Sequence, residues 1–196
     1  MPKLFSFLTA TATAIALMLS QHAAADWTLS PDSTISFIST KNINVTEVHH
    51  FSGISGQMDA KGEAELFIDL SSAETGIDIR NERLASMLFD VAKFANASIT
   101  ASVPEGVLNA AAKGQISMAD INAALSLHGL QHSIQATVMI APTQDGQVLV
   151  TTRNPILLKA SDFALVDGIE SLRSIAGLDS ISTTIPVTFS LLFSEQ

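Results

Sequence analysis

The chain has no cysteine in its 196 residues. That excludes a disulfide scaffold, a thiolate zinc site, a Cys-ligated iron–sulfur cluster and a thiol nucleophile. It has no tyrosine and a single tryptophan, too few to build the aromatic girdles of a membrane-spanning β-barrel. Basic residues are scarce: 10 Lys and Arg stand against 19 Asp and Glu, a net charge of −9. A chain of that sign is repelled by phosphate backbones, so nucleic acid is not an expected partner. There is no P-loop, no G-x-G-x-x-G and no G-x-S-x-G elbow. No nucleophile–base spacing is recognisable, so no catalytic residue is assigned and no enzyme activity is expected. Beyond residue 25, no apolar run is long enough to cross a bilayer as a helix.

Against these absences stand 47% hydrophobic and 15% charged residues, the composition of a packed globular chain. Residues 1–25 read as a secretory signal. Lys3 supplies the positive start, residues 4–19 carry no charge, and Ala23 and Ala25 form an Ala-x-Ala cleavage site before Asp26. Cleavage there leaves residues 26–196 as one exported domain with no membrane span.

Period two dominates that domain. Ile185, Val187, Phe189, Leu191 and Phe193 alternate with mostly polar neighbours, as a half-buried strand requires. Ile134, Ala136, Val138 and Ile140 do the same, as do Ile121, Ala123, Leu125 and Leu127, and Leu66, Ile68 and Leu70. Shorter alternations occur at Ile35/Phe37, Ile77/Ile79 and Val148/Val150. Gln144-Asp145-Gly146 reads as a hairpin turn, and Lys61-Gly62, Pro104-Glu105-Gly106 and His128-Gly129 as further bends. The count is about eight strands, antiparallel, the number that closes a small barrel.

Two segments break the period. Leu84, Met87, Leu88 and Val91 fall at i, i+3, i+4 and i+7, which predicts a short helix starting near Asn81. Asp167 followed by Glu170 matches a capping box, Ile169, Leu172 and Ile175 share a face, and Gly177 ends that second helix. The histidines His49-His50 and His128/His132 read as polar residues flanking turns, and no metal site is assigned. Periodicity alone leaves two readings of the apolar faces: a solid core, or the lining of a dry tunnel for a long apolar ligand.

The order of several motifs resembles the YceI-like family of bacterial periplasmic proteins. They are Asp26-Trp27 and Asp32-Ser33-x-Ile35-x-Phe37, then Phe51-Ser-Gly53 continuing to Gly56. Ile79-Arg80-Asn81-Glu82-Arg83-Leu84 follows, then Phe89-Asp90-Val-Ala-Lys-Phe94, Leu125-Ser-Leu127-His128-Gly129, Asp162-Phe163 and the final strand. Asn81 stands where the family often has aspartate, and Arg83 where histidine is frequent. The resemblance implies an all-β fold: an extended, lipocalin-like, eight-stranded antiparallel barrel with one or two short helices.

It also implies a binding or carrier role in the periplasm. The cargo would be a polyisoprenoid, an isoprenoid quinone or a fatty-acid derivative held in the barrel, with no cofactor beyond such a ligand. The apolar lining candidates are Phe37, Leu66, Ile68, Ile77, Ile79, Leu84, Leu88, Leu125, Leu127, Val138, Ile140, Phe163, Ile169, Leu172, Val187 and Phe189. Arg80 and His128 are the candidates for head-group contact. Two alternatives share the fold: a barrel enzyme acting on a small or lipidic substrate, and a quinone-linked accessory protein of stress or electron transport. A homodimer suits such a fold, though no residue in the sequence supports one.

Overall fold

A computed structural model describes residues 27–195; the export segment expected over residues 1–25 lies outside them. The described chain runs β1 (Trp27–Leu29), β2 (Thr34–Lys41), β3 (Val45–Phe51), β4 (Ile54–Met58), β5 (Glu63–Asp69), β6 (Ala73–Glu74), α1 (Asp78–Arg83) and β7 (Asn96–Ser102). It continues through α2 (Glu105–Ala112), β8 (Ser117–Leu127), β9 (Leu130–Pro142), β10 (Val148–Thr152), β11 (Ile156–Lys159), α3 (Val166–Ile175) and β12 (Thr184–Glu195).

The register shows that several of these segments are halves of one bent strand. β1 and β2 both lie along β12, with Trp27 opposite Glu195 and Phe37 opposite Val187. β3 and β4 run back along β2 and β1, and β5 and β6 along β4 and β3. β10 and β11 both pair with β12. Counted this way there are eight antiparallel strands, each hydrogen-bonded to the next in sequence and the last to the first. The result is a closed barrel, which leaves no open sheet edge along the ring.

Alternation decides which face is inside. On β8 and β9, Leu125, Leu127, Ala136, Val138 and Ile140 are buried. Asp120, Asn122 and Gln135 point out, and Thr137 donates to Asp120 across the strands at 2.6 Å. Apolar residues point in and polar residues point out, the reverse of a membrane-spanning barrel.

The barrel has two different ends. At one end lie the turns at 59–62 and 143–147 and helix α2. At the other lie the turn at 42–44, the insertion from 75 to 95 that contains α1, the tight turn at His128-Gly129, and the insertion from 160 to 183 that contains α3. The two insertions pack on each other. A Cβ at Gly168 of α3 would sit 2.9 Å from the carbonyl oxygen of Met87 and 3.0 Å from Cα of Leu88, so only glycine allows this approach.

Four local expectations need correction. Ile77 and Ile79 are not strand residues. Residues 78–83 form α1, whose side chains reach back into the 74–76 loop, and both isoleucines are exposed, at 48% and 51%. The first helix therefore starts at Asp78, three residues before Asn81, and runs on into a wider π turn over Leu84–Leu88. Asp167 does not cap α3. The N-cap is Leu165, without a side-chain cap, and Glu170 binds the Arg173 guanidinium instead, at 2.8 Å from Nε. The bend at Pro104-Glu105-Gly106 is the start of α2, with Pro104 as its N-cap.

Ser33 holds the seam where β1 gives way to β2. It is buried, and its Oγ accepts from the Leu192 amide at 2.9 Å, replacing a ladder bond that the bent strand cannot make. Ser33→Ala leaves that amide without a partner, and the expected loss is about 1–3 kcal/mol. Chemical denaturation checks it; an unchanged midpoint would show that the seam does not depend on this hydroxyl.

Candidate functional site

The barrel interior is hollow. A chamber of about 910 Å³ occupies the α2 end, at the upper edge of the ~300–1,000 Å³ usual for ligand pockets. Its size has a local cause. Inside the barrel, Ala64 lies opposite Ala101, and Ala101 opposite Ala123. This row of alanines crosses three strands where the adjoining row carries Leu66, Ile99 and Leu125. Ala97 and Ala136 add to it, and all five alanines line the chamber. Trp27, Met58 and Leu108 of α2 border its outer part.

A second chamber, of about 420 Å³, lies towards α1 and α3. The two chambers share Phe37, Phe51, Phe89, Leu127, Leu158 and Val187 as a common collar. Fourteen of the sixteen apolar candidates line one chamber or both. Leu66, Ile68, Leu125, Val138, Ile140 and Phe189 face the larger. Leu84, Leu88, Phe163, Ile169 and Leu172 face the smaller, and Phe37, Leu127 and Val187 face both. Ile77 and Ile79 face neither.

The second chamber also holds a polar cluster. Ser39, Lys41, Glu47 and His49 stand on the inward face of β2 and β3, in line with Phe37 and Phe51, so the strand pleat carries them inside, and Arg80 reaches in from α1. His49 is 3% exposed, and its Nε2 lies 3.0 Å from the Ser39 hydroxyl. The Glu47 carboxylate receives Lys41 Nζ at 2.7 Å and an Arg80 guanidinium nitrogen at 2.6 Å. Arg80 donates a further bond to the Thr75 carbonyl at 2.8 Å. Asn81 fixes that loop, accepting from the Thr75 amide at 2.9 Å and donating to Glu74 at 3.1 Å. Asparagine thus serves here as a latch for the segment that orients Arg80.

The cluster is incomplete. His49 Nδ1 and Arg80 Nε are buried without a hydrogen-bond partner, at a cost folding normally avoids. The Lys41 hydrogen bond, joined by Arg80, holds the Glu47 carboxyl below the usual carboxylate range. Burial, and next the charge of Arg80, push the His49 imidazole below the ordinary histidine range. The chamber therefore presents a neutral imidazole, a fixed guanidinium and an ammonium to whatever enters. Ser39 and His49 have the spacing of a nucleophile and its base. The nearby carboxylate is committed to Lys41 and Arg80, however, and does not orient the ring as a triad would.

Of the two head-group candidates, Arg80 lies in this cluster and His128 does not. His128 sits in the β8–β9 turn with φ +52°, its Nδ1 3.2 Å from the Phe163 carbonyl and its ring against Phe94. It lines neither chamber; it holds the turn to the insertion that carries α3. Ser39, Lys41 and Glu47 escaped the sequence reading, and His49, read as a polar residue flanking a turn, is instead a buried residue within β3. The available signal was a polar residue at every second position, in phase with Phe37 and Phe51.

The fold and these chambers define a closed β-barrel with a hollow, largely apolar interior. A family model for the YceI-like domain matches residues 27–193, and the chain belongs to that family. A polyisoprenoid binding domain from Saccharophagus degradans, implicated in plant cell wall breakdown, is 36% identical. That match covers 88% of this chain and 99% of that one, with a TM-score of 0.84. Burkholderia cenocepacia BcnA is 22% identical over 84% of this chain and 98% of its own, with a TM-score of 0.61. The Campylobacter jejuni YCEI protein is 15% identical over 76% and 84%, with a TM-score of 0.51. The last two share the fold. No curated protein matches the chain.

The His49 environment predicts a pH dependence. An imidazole whose folded value lies below its unfolded one, near 6.5, contributes stability above that value. The contribution is lost as pH falls through 6.5 towards the lower folded value. The melting temperature should therefore drop between about pH 7.5 and about pH 5.5, and His49→Gln should remove part of that drop. Parallel curves for the two proteins would assign the effect to other groups.

Proposed function

We propose that this protein binds one long-chain amphiphile and carries it in the periplasm. The tail lies in the large chamber and passes the collar; the head rests against Arg80, His49 and Lys41. The observation that carries this reading is the pairing of an apolar chamber with two unpartnered buried nitrogens in the adjoining one. A phosphate, a quinone carbonyl or an amide oxygen would accept from Arg80 Nε, and His49 can serve as donor or acceptor according to its tautomer. The tail contributes ~0.8 kcal/mol per buried methylene, so affinity can come mainly from length. Polyisoprenoids, isoprenoid quinones and fatty-acid derivatives all meet this description. The polyisoprenoid-binding description of the Saccharophagus domain supports the first two. The signal-like residues 1–25 support export.

This is a binding site rather than a catalytic one. The Glu47 carboxylate is held by Lys41 and Arg80, so Ser39–His49 lacks an orienting carboxylate. The test is native mass spectrometry of protein isolated from the periplasm, with extraction and identification of what co-purifies. A stoichiometric prenyl, quinone or acyl species is expected. Ala123→Phe, in the alanine row, should keep the fold and cut that occupancy about tenfold or more by filling the tail's volume. In a solid core the same change would instead overpack and cost about 1–3 kcal/mol. An empty wild type that also takes up no lipid on titration would overturn the carrier reading.

A further inference from the structure

We infer that the α1/α3 end of the barrel docks on the surface of a lipid bilayer, with the tip of the β2–β3 turn as its insertion point. Ile43 at that tip is 81% exposed. It also has φ +70°, following Asn42 at φ +47°. A β-branched residue is an outlier in the left-handed region, where turns usually place Asn, Asp or Gly. The chain thus accepts backbone strain to hold out an isoleucine that gains nothing from the fold.

Ile43 does not stand alone. The Asn42 amide donates to the Ser180 carbonyl at 2.9 Å, and Asn42 Oδ1 accepts from the Asp179 amide at 2.9 Å. Those bonds tie the turn to the loop after α3, whose last residue, Ile175, is 51% exposed and lines the second chamber. Across the chamber, Arg80 ties α1 to β3, placing Ile77 and Ile79 on the same end with half their surface exposed. Single exposed aliphatics are ordinary; a group of them around the mouth of an apolar chamber marks an interaction surface. The α2 end exposes only Ile116 and Met118 as large apolar side chains among the described residues.

Two observations select a bilayer as the occupant. Arg83 and Lys159 line the same chamber, and among the described residues neither has an ionic partner. Exposed Asp78, Glu82, Asp167 and Asp179 on the same end outnumber these two cations, so the aliphatic tips make the contact and the cations serve only as local anchors at the boundary between acyl chains and head groups. The second observation rests on the carrier reading. A cargo with a long apolar tail resides in membranes, and passing it through water would expose ~0.8 kcal/mol per methylene. A mouth pressed to the bilayer avoids that exposure.

The test is flotation of the purified, cargo-free protein with zwitterionic phosphatidylethanolamine–phosphatidylcholine vesicles that contain no prenyl lipid. Wild type should float with the vesicles. Ile43→Asp should lower the bound fraction about tenfold or more, and Ile116→Asp, at the other end, should leave it unchanged. Ile43→Asp should fold, because the side chain is exposed and aspartate tolerates that turn better. Wild type that stays at the bottom of the gradient, or equal losses for the two variants, would overturn docking. So would a wild type that sediments as a dimer without vesicles while Ile43→Asp is monomeric, which would give the face to a second copy. Loading from detergent micelles separates this from the carrier reading. Ile43→Asp should load a prenyl probe from micelles as wild type does, and failure of both to load would overturn the carrier while flotation still decides docking.

Discussion

Everything in this molecule depends on the pairing of its last strand with its first. β12 is 12 residues long and takes partners on both sides: β10 and β11 on one, β1 and β2 on the other. Without it the remaining strands would form an open, curved sheet with two exposed edges and no enclosed volume. The residues that meet at this seam are 150 or more positions apart in sequence, so the interior can close only when the whole domain has assembled. Such non-local closure is entropically demanding and slow. Ser33 marks the demand locally: at the one point where the bent first strand fails to supply a ladder bond, a buried hydroxyl supplies it.

The closed ladder is also what permits the interior to stay hollow. In a solid core, side-chain packing supplies much of the stability, and a large void would be untenable. Here the wall is held by continuous backbone hydrogen bonding around the ring. The inner positions of β5, β7 and β8 therefore tolerate alanine where packing would call for something larger. The substitution of small for large along one inter-strand row is the step from fold to site. It converts an inward apolar face, common to many barrels, into a space of defined volume with its long walls intact.

That difference explains what was legible in the sequence. The strands could be read because an inward-facing residue at every second position leaves a period of two, and Ile185 to Phe193 shows it without interruption. The strand count and the division of β8, β9 and β12 into an apolar and a polar face follow from it, while the lining role of the apolar face comes with the family resemblance. Ile77 and Ile79 fit the same pattern by coincidence, because three residues carry too little periodicity to distinguish a strand from the entry to a helix. α2 was hidden by Gly106 in its first turn and by a proline that serves as a cap as readily as a bend. His128 drew attention as part of a histidine pair, but its role is to hold a turn. His49 reads as flanking a turn, since its burial depends on groups distant in sequence: Arg80 from α1 and the strand register that puts Ser39 beside it.

The polar cluster adds a constraint that an apolar tunnel alone lacks. Burying Arg80, Glu47 and His49 costs desolvation, and the ion pairs return only part of it because two nitrogens stay unsatisfied. Replacing such a group by aliphatic side chains of like volume is often neutral or stabilising. Its presence is therefore better explained by selection for something that enters the chamber than by selection for stability. Direction follows from that asymmetry. In the proposed binding mode, a tail in the large chamber and a head at the polar one would give a cargo a single orientation, with its head towards the end that carries Ile43 and Ile175. If that end meets the membrane, the head lies nearest the interface and the tail is drawn deepest into the protein. Loading then requires the tail to thread past Arg80 and the collar before the head can settle. In that binding mode the collar of Phe37, Phe51, Phe89, Leu127, Leu158 and Val187 would be the narrow passage a tail has to cross, and the alanine row would set the volume available to it.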